Sequence, residues 1–166
     1  MQSLGTTLML ALAACTSRRE AAPVERSNQS VAASEMAISL ERTPCFGSCP
    51  VYAISVSPSG EVKYEGRANV RLVGTAVGQI PARRVEALLI ELERAGYFTF
   101  AERYALSEPT CRRYSTDSPS AISSATFRGR TKRIEHDYGC GGVPGALMVM
   151  EQRIDEVLGS DRWTGR

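Results

Sequence analysis

At 166 residues and a formal net charge of +2, the chain has the length of one ordinary domain with short extensions. That balance is too mild to favour nucleic acid, and Arg83-Arg84, Arg112-Arg113 and Arg128-Gly129-Arg130 are interleaved with acids, as on solvated faces. The first 14 residues carry no charged side chain, so the whole balance belongs to residues 15–166.

Leu4 to Ala14 is an apolar run, too short to span a bilayer as a mature helix, which needs about 20 residues. It ends in Leu12-Ala13-Ala14-Cys15, which resembles a bacterial lipoprotein cleavage box, although Met1-Gln2-Ser3 lacks the basic residue usual before such a run. The resemblance implies a signal peptide over 1–14 and a new N-terminus at Cys15 carrying lipid, palmitate included. The protein would then be anchored in the membrane and face the periplasm. Thr16, a non-Asp residue after the Cys, resembles the sorting signal for the outer membrane. Residues 15–36 alternate small, polar and charged side chains with few large apolar ones, which predicts a tether. About 20 coil residues span roughly 25 Å. One domain is then expected over 37–166.

Within that domain Ala37 to Arg42 predicts a first strand. Val51 to Ser57 follows, with Tyr52, Ile54 and Val56 on one face. Pro58-Ser59-Gly60 marks a turn, after which Val62 and Tyr64 alternate with Glu61, Lys63 and Glu65, the pattern of a strand wet on one side. Val70 to Val73 and Ala76 to Ile80 are expected to extend the antiparallel sheet. Val85, Leu88, Leu89 and Leu92 then switch the period to that of a helix, opened near Pro81 and stopped by Gly96. Tyr97, Phe98 and Phe100 are expected to pack at its exit. Residues 102–120 read as irregular, and Ser123 to Phe127 with Thr131 to His136 as a second hairpin. A last helix opens at Pro144, shares Leu147, Met150, Ile154 and Val157 on one face, and stops at Gly159; its methionines are expected in the core. Strand groups each followed by a helix predict an α+β fold: two layers, an antiparallel sheet of hairpins and two helices, braced by disulfides.

With Cys15 assigned to lipid, Cys45, Cys49, Cys111 and Cys140 remain, an even number that allows three pairings in an oxidising compartment. A bridge across Cys45-Phe46-Gly47-Ser48-Cys49 needs a turn to bring the Cα atoms close, and Gly47 supplies the backbone freedom. A bridge between Cys111 and Cys140 would pin the irregular segment to the sheet. The spacing Cys45-x-x-x-Cys49-Pro50 also resembles that of thioredoxin-fold copper chaperones, which implies Cys45, Cys49 and the chain's one histidine, His136, as alternative copper ligands. Against it, Val51 to Ser57 alternates as a strand where those proteins have a helix. His136, at a strand end, is expected to be exposed. Asp117 is a weak binding candidate and a better turn cap, and Gly139-Cys140-Gly141-Gly142 reads as a tight turn or an anion nest. No hydrolase elbow, zinc-protease motif or P-loop occurs, so no catalytic residue is assigned.

Thr43-Pro44-Cys45-Phe46-Gly47-Ser48-Cys49-Pro50-Val51-Tyr52, continued by Tyr64-Glu65-Gly66, Ala95-Gly96-Tyr97-Phe98, Tyr104, Thr116-Asp117, Lys132, Ile154-Asp155 and Trp163, resembles an uncharacterised family of bacterial envelope domains. The resemblance covers residues 37 to 163 and implies a small α+β domain without an assigned activity. Cys111 and Cys140 look like additions of a subgroup, which implies pairing them with each other and Cys45 with Cys49. The expectation is a lipid-anchored domain without cofactor that binds an envelope protein or glycan rather than catalysing. The alternative is a thiol–disulfide or copper-handling protein using Cys45 and Cys49.

Overall fold

Alternating apolar residues bring β1 (Ile38–Arg42), β2 (Val51–Val56) and β3 (Glu61–Ala68) together as an antiparallel meander. A computed structural model describes residues 36–165; the expected signal peptide over 1–14, Cys15 and all of the expected tether but Met36 lie outside the described residues. β4 (Gly74–Gln79) pairs with β3, while β7 (Ser120–Phe127) and β8 (Arg130–Asp137) form a second hairpin that joins the other side of β1. A two-residue strand, β5 (Arg103–Tyr104), runs parallel to β8. The seven-stranded sheet has the order β4-β3-β2-β1-β7-β8-β5, and β6 (Arg113–Tyr114) pairs separately with β9 (Cys140–Gly141). The fold is α+β, as expected, with this single parallel pair added.

Helix α1 (Ala82–Arg94) buries Val85, Leu88, Leu89 and Leu92, the stripe its period predicts. Helix α2 (Gly145–Leu158) buries Leu147, Ile154, Val157 and Leu158. Both cover one side of the sheet, against Ile38, Leu40, Ile54, Val56, Val62 and Ile134. Burying each such side chain contributes about 1.5–3 kcal/mol. Gly96 and Gly159 stop the helices at φ of 84° and 69°, a left-handed conformation that a side chain would oppose. A one-turn helix, α3 (Asp161–Thr164), closes the described chain and stacks Trp163 on Tyr64, ring centroids 5.0 Å apart.

The structure corrects several sequence expectations. Val70 to Val73 is not a strand: the Arg71 and Leu72 N–H groups donate to the Thr164 and Trp163 carbonyls, so this backbone binds α3 instead of the sheet. Residues 102–120 contain two short strands, and although Gly139 and Gly142 lie in turns as expected, Cys140–Gly141 between them pairs with β6. In α2 the methionines divide: only Met150 packs against the core, and only in part. Met148 is exposed and Met150 half-buried, and the wholly buried residue of that turn is Glu151.

Candidate functional site

The helical side of the sheet encloses a polar cluster. His136 on β8 is 1% exposed and Glu151 is 0% exposed, so the exposed histidine expected from sequence is wrong. The Nδ1 atom of His136 lies 2.9 and 3.1 Å from the two Glu151 carboxylate oxygens. The Tyr138 hydroxyl donates to the same carboxylate at 2.8 Å and accepts from Arg42 on β1. Arg42 also donates twice to Asp155 on α2, at 2.8 and 3.2 Å, and the Tyr52 hydroxyl donates to Asp155 at 2.6 Å. Six side chains thus tie β1, β2 and the β8 exit to one helix. Among the described residues no buried side-chain nitrogen or oxygen lacks a partner.

Electrostatics follow from this enclosure. Burial, the largest single influence, opposes the charge on Arg42, yet Asp155, Tyr138 and Tyr52 together outweigh it and hold the guanidinium above its ordinary value. Burial, then the Asp155 carboxylate, pushes the Tyr52 phenol up. Burial also pushes the Tyr138 phenol up to about 12, with Glu151 adding to it and Arg42 working against it. Both phenols therefore stay neutral donors throughout the ordinary pH range.

Cys45 and Cys49 form a disulfide, Cα atoms 5.7 Å apart, at the rim of this cluster. Gly47, at φ 140°, makes the turn that the short bridge requires. The loop presents Phe46 to solvent at 89% exposure and is held by the Phe46 N–H, which donates to the Asp117 carbonyl. Asp117 itself is exposed in a turn, its carboxylate accepting from the Thr116 hydroxyl at 2.8 Å. A cavity of about 320 Å³ lies between Cys49, Pro50, Pro119 and the Arg42, Tyr52 and Asp155 side chains. Cys111 and Cys140 form the second disulfide, Cα atoms 5.1 Å apart, and join the irregular segment to β9. Among the described residues no group of three or more His, Cys, Asp and Glu side chains could hold a metal ion. Two of the alternative copper ligands are tied to each other as a disulfide, and the third is turned onto Glu151.

Among the described residues the opposite side of the sheet carries no helix, and it forms a trough of about 590 Å³. Strand register builds it row by row. Lys63 pairs with Ser55, Ser55 with Ser39, Ser39 with Ser124, and Ser124 with Arg133. Three hydroxyls therefore stand side by side across β2, β1 and β7, with a cation at each end. The adjacent row runs from Glu65 through Ala53 and Glu41 to Ile122. In the serine row, small side chains in the middle strands make the floor low, and the long cationic ones of Lys63 and Arg133 raise its ends. Donors, acceptors and both signs of charge face one accessible hollow, an arrangement able to seat a polar ligand.

No sequence argument singled out this trough, because its residues are ordinary one by one. The signal was the run of small polar residues at the outward positions of β1, β2 and β7. Residues 36–158 match a family described as Domain of unknown function (DUF6438). No curated protein matches the chain.

Proposed function

For this chain, which belongs to the Domain of unknown function (DUF6438) family, a description that records no activity, we propose a lipid-anchored bacterial envelope protein that binds without catalysing. Its ligand seat is the open trough, and its ligand an envelope glycan or an extended protein segment. The observation that carries this reading is the row Lys63, Ser55, Ser39, Ser124 and Arg133, a line of donors across bare strands. A polar chain laid along it can exchange hydrogen bonds with the hydroxyls and place an acidic group at either end. The enclosed cluster on the other side has its buried polar atoms already partnered and serves as a brace. Anchoring rests on the Leu12-Ala13-Ala14-Cys15 string. It puts the site in the periplasm, on the outer membrane, at the end of a tether.

Two experiments test the reading. Ser39→Trp fills the trough, and the full lipidated protein carrying it should fold but lose the envelope component that the unmodified protein captures by photocrosslinking. Equal capture by both proteins would remove the trough from the proposal. Intact-mass analysis of the mature protein should find Cys15 N-terminal and acylated, and Cys15→Ser should abolish both features.

The half-buried position of Cys45 and Cys49 in an exposed loop favours one second reading, thiol–disulfide exchange at that pair. A structural bridge resists mild reductant, whereas an exchanging one opens readily. Rapid, selective reduction of Cys45–Cys49 under native conditions would favour the second reading.

A further inference from the structure

The two edges of the sheet are unlike. At one edge β5 has only two residues, and Arg103 there pairs with Glu108 and Glu135, charges of the kind that block strand addition. At the other, β4 has six residues with neither charge nor proline, and its register with β3 is unbroken. Val77 on β4 is 70% exposed, and Val73, just before it, is 64% exposed. The ladder decides which main-chain groups are available. The Ile80 N–H donates to the Gly60 carbonyl, so Gly78, Ala76 and Gly74 likewise turn inward to β3. The alternation leaves the N–H and C=O groups of Thr75 and Val77 directed outward from the sheet.

We propose that this edge pairs antiparallel with β4 of a second copy of the chain, about a two-fold axis through Ala76. Thr75 then lies opposite Val77 of the second copy, and the two such pairs exchange main-chain hydrogen bonds in both directions. The strand is complementary to itself in this register. On the trough side, Lys63 is the β3 neighbour of Val77 and Glu65 the neighbour of Thr75. Each row across the seam therefore has a lysine at one end and a glutamate of the other copy at the other. On the helical side Gly74 faces Gly78 and Ala76 faces Ala76, so the paired strands themselves put nothing larger than a methyl group at the seam. Arg162 and Trp163, which lie about 3.2 Å from where a Cβ on Gly78 would be, keep their places. Pairing brings the two troughs onto one continuous face, since Thr75 and Val77 line the trough in each copy. The seam is short, so the dimer belongs to the weak, concentration-dependent class of interfaces. The inference does not depend on what the trough binds or on the lipid.

Sedimentation equilibrium of the purified full chain in density-matched detergent, over a wide concentration range, should show a monomer–dimer equilibrium. Val77→Lys should weaken it by about tenfold or more, equivalent to at least ~1.4 kcal/mol. Thr75→Pro should do the same, because it removes an N–H that the β3–β4 ladder does not use. The register is tested separately. Ala76→Cys places two thiols across a pair whose Cα atoms should be about 4.5 Å apart, within disulfide reach. It should oxidise to a symmetric dimer, whereas Val77→Cys should not. A monomer at every concentration, or a dimer indifferent to Val77→Lys, would overturn the proposal. So would cross-linking of Ala76→Cys to another protein in place of itself.

Discussion

Along β1, Ile38 and Leu40 point into the helical layer while Ser39 and Glu41 line the open trough. The same strands therefore carry two unlike surfaces. One side confines charges: Arg42, Asp155 and Glu151 are held with His136, Tyr52 and Tyr138 in one hydrogen-bonded cluster. The other side leaves hydroxyls and charges facing water. A buried charge is tolerated only when its partners are fixed, so the enclosed side trades adaptability for rigidity. The groups of the open side stay accessible to water. The contrast separates groups that brace the fold from groups available to bind.

The comparison is broken most severely at Glu151. Glu151→Ala leaves the His136 Nδ1 and the Tyr138 hydroxyl facing an empty site, and should cost about 3–5 kcal/mol in denaturant unfolding. A loss below 1 kcal/mol would mean that the cluster does not brace the fold. The disulfides come next. In the chain-entropy argument, removing Cys111–Cys140, with a sequence separation of 29, costs about 3.5 kcal/mol, against about 2 kcal/mol for Cys45–Cys49, with a separation of 4. Paired Cys→Ser variants compared by their unfolding midpoints should keep that order.

Alkaline titration sharpens the comparison without substitution. Burial raises the Tyr138 phenol to about 12, while an unfolded tyrosine titrates near ~10. Its folded value lies above the unfolded one, so its stabilisation is complete below about pH 10 and is lost as pH rises towards about 12. Tyr52 and Tyr97 are shifted in the same direction, burial being the largest cause for each. Tyrosinate absorbance should therefore rise together with unfolding in this window. These three phenols ionising near ~10 in a folded protein would contradict the enclosure.

Local pattern made much of the fold legible. Val62 and Tyr64 alternating with charges gave β3, and Val85, Leu88, Leu89 and Leu92 gave α1. The Cys45–Cys49 bridge was implied by the family resemblance, and Gly47 made the turn it needs feasible. The cluster was hidden because its members lie far apart in sequence: Arg42 and Asp155 are separated by 113 residues, Tyr52 and Asp155 by 103. Only tertiary packing brings them together. Glu151 had a readable signal, since it follows Leu147 by four positions and precedes Ile154 by three, on the buried stripe. Its charge argues for solvent, and Met150 beside it looks the better core residue. A carboxylate is buried there because His136 and Tyr138 are waiting for it.

The smallest effects are the most diagnostic, and two adjacent serines on β7 supply them. Ser123 is 0% exposed and its Oγ accepts the Tyr97 hydroxyl at 2.8 Å. Ser124, one residue on, points the other way and lines the trough between Ser39 and Arg133. Ser123→Ala leaves the buried Tyr97 hydroxyl without an acceptor and should cost about 1–3 kcal/mol. Ser124→Ala removes a hydroxyl that faces the open trough and should stay within about 0.5 kcal/mol of the unmodified protein. The same two changes should reverse their order in binding. Ser124→Ala removes a donor from the middle of the row and should weaken capture of a trough ligand, while Ser123→Ala should leave it unchanged once the protein is folded. Denaturant midpoints and capture yields measured on both variants give the two orders directly. If Ser124→Ala proved as destabilising as Ser123→Ala, the open side would be a second packed layer, and the trough would have no claim as a binding seat.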